Sequence, residues 1–215
     1  MRYAIFSDIH DHTQGLTRIL RHASQQQVDK YFCLGDMGGI GTDGCVTQIR
    51  EMNITTVFGN WEVFTWHHYS PENQEWVLKL APVHKESHFW LTHATPLWHE
   101  NVVTLADLKK ERYNIAPISR LFPYLHQDST ALWRTMSALR GANVPLLFHG
   151  HTHCQITWRL TRNNNLQKLT RRTITLATDE TFIVGVGSVG RSEDDPKPSY
   201  VIYNEGTATI EMIRV

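Results

Sequence analysis

The stretch His149-Gly150-His151-Thr152-His153 places two imidazoles, His151 and His153, one residue apart after the apolar run Val144-Pro145-Leu146-Leu147-Phe148. Side chains at a strand end repeat with a period of two, so this spacing predicts that both rings face one way and converge on one small target, most simply a metal ion. For one His-x-His alone, a hydrogen-bonded structural pair has equal weight. Gly150 permits a sharp turn or a close backbone approach. Similar deliveries occur earlier in the chain. Asp8 and His10 follow an apolar run over 2–6, Asp36 follows one over 31–34, Asn60 follows 55–58, and His93 follows 89–92. Gly-Asp and Gly-Asn are common turn dipeptides, so each instance is weak by itself, and the ordered repetition carries the argument.

Asp8, His10, Asp36, Asn60, His93, His151 and His153 form a mixed oxygen and nitrogen set without thiolates. That set suits Mn²⁺, Fe²⁺ or Zn²⁺ better than an iron–sulfur cluster or a thiolate zinc site. Seven donors exceed what one ion takes. They suit two ions about 3.5–4 Å apart and bridged by a carboxylate, which clamp phosphoryl oxygens and activate water near neutral pH. Phosphoester hydrolysis is the expected reaction, with Asp8, Asp36, Asn60 and His93 as candidate catalytic groups.

The elements needed to position these residues follow from the pattern. Short β-prone runs precede each motif, and the strand carboxyl ends are where open α/β sheets place their sites. Leu16, Ile19, Leu20 and Ala23 fall at helical spacing behind Thr13, a predicted N-cap. Further helices are predicted over 44–52, 72–80 and 102–112, and from Asp128, with Leu132, Met136 and Leu139 on one face and Gly141 near the stop. The end of the chain is β-rich: 155–161 and 166–176 joined through Asn163-Asn164-Asn165, then 182–184, 200–203 and 208–215. One α/β domain spanning 1–215 is expected, with a helical cap inserted at 97–143. The alternative for that insertion is extra packing on the body of the fold.

Lys+Arg number 21 against Asp+Glu 21, so no global field draws the chain to nucleic acid or anionic membrane. The three cysteines, Cys33, Cys45 and Cys154, show no C-x-x-C spacing and are odd in number, which points to a reducing compartment. No apolar run is long enough for a membrane span, and residues 1–6 enter a strand pattern at once. A cytoplasmic location is expected, with a small phosphoester as partner; long nucleic acid is disfavoured though still open.

These motifs, Asp8-x-His10, Gly35-Asp36, Gly59-Asn60-Trp61-Glu62, His93 and Gly150-His151-x-His153, resemble in order those of the calcineurin-like metallophosphoesterases. The small bacterial and archaeal phosphodiesterase-like branch is the nearest in pattern. The resemblance implies a four-layer α/β/β/α sandwich and two divalent ions, Mn²⁺ foremost. It implies a first ion on Asp8, His10 and His153, with Asp36 bridging to a second on Asn60, His93 and His151. It departs at Trp61, where many members carry a histidine assigned to leaving-group protonation or substrate contact, and this argues against full phosphomonoesterase activity. His12 also stands where an Asn is frequent; it reads as a phosphate contact or, with slightly more weight, as an exposed polar residue. His149 reads as a supporting or core residue.

The implied substrate is a phosphodiester, a nucleotide or a dinucleoside polyphosphate. A serine/threonine protein phosphatase, a nuclease of the same fold and a non-catalytic scaffold are the alternatives. The intact donor set counts against the scaffold, and the balanced charge counts against long-duplex binding.

Overall fold

The computed structural model describes residues 1–110 and 117–215, apart from the side chains of residues 118 and 119. In chain order the strands are β1 (Arg2–Phe6), β2 (Lys30–Cys33), β3 (Thr55–Thr56), β4 (Val83–Lys85), β5 (Phe89–Thr92), β6 (Leu146–His149), β7 (Gln155–Leu160), β8 (Leu166–Leu169), β9 (Thr173–Thr175), β10 (Thr181–Val186), β11 (Ser199–Asn204) and β12 (Thr209–Arg214). The helices are α1 (Thr13–Gln25), α2 (Gly44–Glu51), α3 (Asn60–Thr65), α4 (Pro71–Leu78), α5 (Leu105–Lys110), α6 (Ile118–Leu121) and α7 (Ser129–Gly141). Among the described residues they build two six-stranded sheets, ordered β3-β2-β1-β11-β12-β9 and β4-β5-β6-β10-β7-β8. β1, β2 and β3 run parallel in the first, and β5, β6 and β10 run parallel in the second.

Strand alternation accounts for the layering. In β1, Tyr3 and Ile5 enter the core between the sheets, whereas Ala4 and Phe6 pack outward with Leu16, Ile19 and Ala23 of α1. In β6, Leu146 and Phe148 face the inter-sheet core and Leu147 faces Leu132, Met136 and Leu139 of α7. The result is the expected α/β/β/α sandwich. Phe89 anchors the middle, with ring centroids 5.2 Å from Tyr3, 5.9 Å from Phe148 and 5.5 Å from Tyr203. Burial of each such side chain contributes roughly 1.5–3 kcal/mol.

Three local expectations change. The α1 N-cap is His12 rather than Thr13: its Nδ1 accepts the Gly15 N–H at 3.0 Å. The run over 166–176 is two strands in different sheets. β8 pairs with β7, while β9 crosses to β12, because Thr170-Arg171-Arg172 is exposed and Ile174 is buried in the inter-sheet core. The strand expected over 55–58 shortens to β3, and Val57 makes an isolated bridge to Ala81.

The 97–143 segment divides between two walls. Leu105 and Leu108 of α5 pack beside Val77 and Leu80, and α7 is the outer layer on the second sheet. Residues 120–124, between them, border the candidate site. The helix expected over 102–112 is seen as α5, and residues 111–112 lie outside the described residues.

Candidate active site

All five motif loops leave the carboxyl ends of β1, β2, β3, β5 and β6, so parallel pairing within each sheet brings them to one edge. Their approach is close. A Cβ on Gly150 would collide with Ser7 Oγ and lie 2.6 Å from Asp8 Oδ2, and a Cβ on Gly59 would strike Asp36 Oδ1. Gly150 therefore serves close approach rather than a left-handed turn.

The backbone aims the side chains. Asp8, His10, Asp36, His151 and His153 adopt φ of 55°, 48°, 53°, 62° and 54°. For residues bearing a Cβ, this left-handed region costs on the order of 1–2 kcal/mol each, and such strain concentrates at functional sites. β6 ends at His149, so His151 and His153 lie in the following turn and strand alternation does not orient them. They diverge instead. His153 Nε2 lies 3.2 Å from Asp8 Oδ1 and 3.3 Å from His10 Nε2. His151 turns toward His93, with ring centroids 5.2 Å apart, and toward Tyr124 at 4.3 Å.

Asp8, His10, Asp36 and His153 each offer one donor atom, all within 4.8 Å of one another. Asp36 is central: its Oδ2 lies 3.8 Å from His10 Nε2 and 3.4 Å from His93 Nε2. Asn60 Oδ1 lies 3.0 Å from His93 Nε2. All seven expected residues therefore meet around Asp36 in two flanking groups, one with His10 and His153 and the other with Asn60, His93 and His151.

The rings are prepared as ligands. His93 Nδ1 donates to Leu34 O at 2.7 Å and His153 Nδ1 to Arg191 O at 2.8 Å. Each carbonyl holds a proton on Nδ1 and turns Nε2 toward the carboxylates, so that a cation displacing the Nε2 proton would meet a donor there, the usual support for a metal-bound histidine. His151 Nε2 and His10 Nδ1 are buried and have no partner among the described residues. Burial pushes the His151 imidazole down to about 4, so it is a neutral donor at pH 7. Burial also lowers His93, but the charge of Asp36 and its hydrogen bond outweigh that and raise it to about 9. Burial would raise the Asp8 carboxyl, yet the hydrogen bond from His153 and the charges of His93, His153 and His10 hold it well below the usual carboxylate range. The site favours positive charge beside Asp8 and Asp36, and its oxygen and imidazole donors fit divalent ions.

Glu62 was not expected to matter. It is fully buried and accepts the N–H groups of Asp36, Met37 and Gly59, each at 2.8 Å, tying the Asp36 loop to the start of α3. Burial, then the Asp36 charge, pushes its carboxyl up to about 7, against these three donors. Its place three residues after Gly59 is the glutamate half of a capping box, the signal that could have found it. Ser188 donates its Oγ–H to Asp8 O at 2.8 Å, and Tyr124 stacks on His151; neither contact has a local sequence signal.

Trp61 donates its backbone N–H to Asp36 Oδ1 at 2.7 Å. Its ring stands edge-on to His10 at 5.6 Å, and the Arg191 guanidinium lies over it at 5.5 Å. The indole N–H is buried without a partner among the described residues. His149 is also buried; its Nδ1 contacts its neighbour Gly150 O at 2.9 Å. It supports the turn rather than joining the cluster.

A family model, the calcineurin-like phosphoesterase superfamily domain, matches residues 1–207. The chain belongs to the calcineurin-like phosphoesterase superfamily. It is 28% identical to the uncharacterised protein MJ0912 of Methanocaldococcus jannaschii, over 99% of this chain and 86% of that protein. Its fold matches a metallophosphoesterase from Sphaerobacter thermophilus, with TM-score 0.68, 21% identity, and coverage of 100% of this chain and 88% of that one. An archaeal phosphodiesterase matches with TM-score 0.52, 11% identity and full coverage of both chains. Superfamily membership makes this chain a metal-dependent hydrolase, and the family works with a dinuclear centre. Among the described residues no helix is long and apolar enough to cross a membrane.

Proposed function

We propose that this calcineurin-like phosphoesterase hydrolyses a phosphodiester, a nucleotide or a dinucleoside polyphosphate with two divalent ions, Mn²⁺ in preference to Fe²⁺ or Zn²⁺. The observation that carries this reading is the pair of imidazoles, His93 and His153, whose Nδ1 protons are fixed by backbone carbonyls while their Nε2 atoms face Asp8 and Asp36. In this reading Asp8, His10 and His153 would hold one ion, Asn60, His93 and His151 would hold the other, and Asp36 would be shared between them. Bound ions supply Lewis acidity toward phosphoryl oxygens and activate water.

The chain's own groups do the rest. The Trp61 backbone N–H orients the Asp36 carboxylate, and Glu62 holds the loop that carries it. The Trp61 indole N–H is buried and has no titratable proton to deliver. Departing groups of low pKa are therefore favoured, which suits diesters and polyphosphates better than alkyl monoesters. We place the reaction in the cytoplasm, since Cys33, Cys45 and Cys154 are all free thiols. The charge balance of 21 against 21 favours a small substrate over long nucleic acid.

Chelation followed by add-back of Mn²⁺, Fe²⁺ or Zn²⁺ tests the reading, with bis-p-nitrophenyl phosphate turnover and elemental analysis as readouts. Two ions per chain and loss of turnover on chelation are expected. Asp36→Asn should empty both positions, and His93→Ala should chiefly weaken one. Metal-free protein under loading conditions, or turnover that survives chelation, would overturn it.

A further inference from the structure

A cavity of about 1230 Å³ opens beside the Asp36-centred cluster, and Asn60 and His151 form part of its wall. It exceeds the roughly 300–1,000 Å³ of an ordinary small-molecule site, so a nitrophenyl phosphate would leave most of it unfilled. Two kinds of side chain on the rest of its wall bear on what it binds. Phe64 and Tyr124 are aromatic and expose 52% and 46% of their surface. Arg120 and Arg134 are exposed, line the same space, and have no ion-pair partner among the described residues. The Asp128 carboxylate on the same wall forms an ion pair with neither; it accepts the Ala131 N–H at 2.9 Å as the N-cap of α7.

We propose that this cavity is a nucleotide pocket that takes an aromatic base against Tyr124 and Phe64 and a phosphate beyond the scissile one on Arg120 and Arg134. Exposed aromatic faces suit a planar base, which any ring system can satisfy by stacking. Unpaired guanidiniums suit phosphate oxygens, which they bind in a bidentate fork. An apolar lipid tail fits neither arginine, and inorganic phosphate fits neither ring. The substrate class is accordingly a nucleoside carrying two or more phosphates, including dinucleoside polyphosphates. This inference rests on the phosphoesterase reading for the scissile phosphate, but the base and the further phosphate are assigned to Tyr124, Phe64, Arg120 and Arg134, none of them a proposed metal ligand.

The experiment has two arms. In the metal-loaded enzyme, ADP, AMP, adenosine and pyrophosphate are compared as inhibitors of bis-p-nitrophenyl phosphate turnover. In chelated enzyme, calorimetry measures binding of the same four probes, so a failed hydrolase reading leaves this arm intact. ADP is expected to bind about tenfold or more tightly than either AMP or pyrophosphate. Phe64→Ala should weaken ADP and adenosine about tenfold and leave pyrophosphate unchanged, and Tyr124→Ala should do the same in the binding arm. Arg134→Ala and the Arg120→Ala/Arg134→Ala pair should weaken ADP and pyrophosphate and leave adenosine unchanged. Equal affinity for ADP and pyrophosphate, indifference of ADP to both arginines, or an acidic phosphotyrosine peptide outcompeting ADP would overturn the proposal.

Discussion

Gly150→Ala tests whether the close approach of two motif loops sets the geometry of the site. The added methyl would collide with Ser7 Oγ and stand 2.6 Å from Asp8 Oδ2 and 2.7 Å from Ser7 Cβ, where ordinary contact begins at 3.4 Å. With the Ser7 hydroxyl rotated aside, the His151–His153 turn must still retreat from the Ser7-Asp8 loop by about 0.8 Å to clear Asp8 Oδ2 and Ser7 Cβ. That shift would stretch the His151 N–H bond to Asp8 Oδ2, now 3.0 Å, beyond a normal hydrogen bond. Overpacking of this kind costs roughly 1–3 kcal/mol, a fall in Tm of about 2–4 °C per kcal/mol for a chain of this size. A misplacement near 1 Å can cost about a hundredfold in rate, so kcat/KM for bis-p-nitrophenyl phosphate is expected to fall about 10–100-fold with metal in excess.

Ser7→Ala supplies the control. Ser7 Oγ is buried without a hydrogen-bond partner, so its removal alone should be nearly neutral, yet it deletes the nearest clash. In the Ser7→Ala/Gly150→Ala double variant, part of the stability and rate should return, giving a coupling of about 1 kcal/mol in a double-mutant cycle. Wild-type kcat/KM together with a Tm within about 2 °C in Gly150→Ala would refute the reasoning.

Glu62→Ala leaves three buried N–H groups without their acceptor; at roughly 1–3 kcal/mol each, urea unfolding of chelated protein should show a loss above about 3 kcal/mol, and a loss under 1 would contradict the tie. Trp61→His adds a titratable donor and should raise kcat/KM for alkyl phosphomonoesters, by up to about 10²–10⁴-fold, far more than for aryl diesters; a uniform change across leaving groups would remove the argument. Asp43 joins α2 to α4. Burial would raise its carboxyl, but the Ser70 N–H, the Asn73 amide and the Ser70 hydroxyl lower it. Its contribution to stability is therefore present above the unfolded value and disappears as pH falls through the folded one. Asp43→Asn should accordingly be less stable than wild type at pH 6 and converge with it only once pH has fallen through the lowered folded value, as followed by urea denaturation.

The motif residues were legible because a phosphoryl-transfer site needs particular donor types, and strand ends are the cheapest rigid places to hold them. Asp8, Asp36, Asn60 and His93 each stand after an apolar run in the sequence, and each lies at a strand's carboxyl end in the fold. The layered α/β/β/α order came from the family resemblance, and β1 agrees with it: Tyr3, Ala4, Ile5 and Phe6 are all apolar, so the strand must be covered on both faces. The sequence supplied donors and layers.

Tertiary contact decided how the donors divide. His151 and His153 were expected to converge by strand alternation, but left-handed φ values beyond β6 send one ring to His93 and the other to Asp8. Backbone carbonyls of Leu34 and Arg191, far away in sequence, fix the ring protons, and no local pattern encodes such a partner. The same holds for the 97–143 segment, where α7 became a sandwich layer because Leu132, Met136 and Leu139 meet Leu147 and Ile183, while residues 120–124 and the start of α7 border the site. A helical spacing says that one face is buried; which surface buries it depends on chain reversals over tens of residues, and those are settled only when the whole core packs.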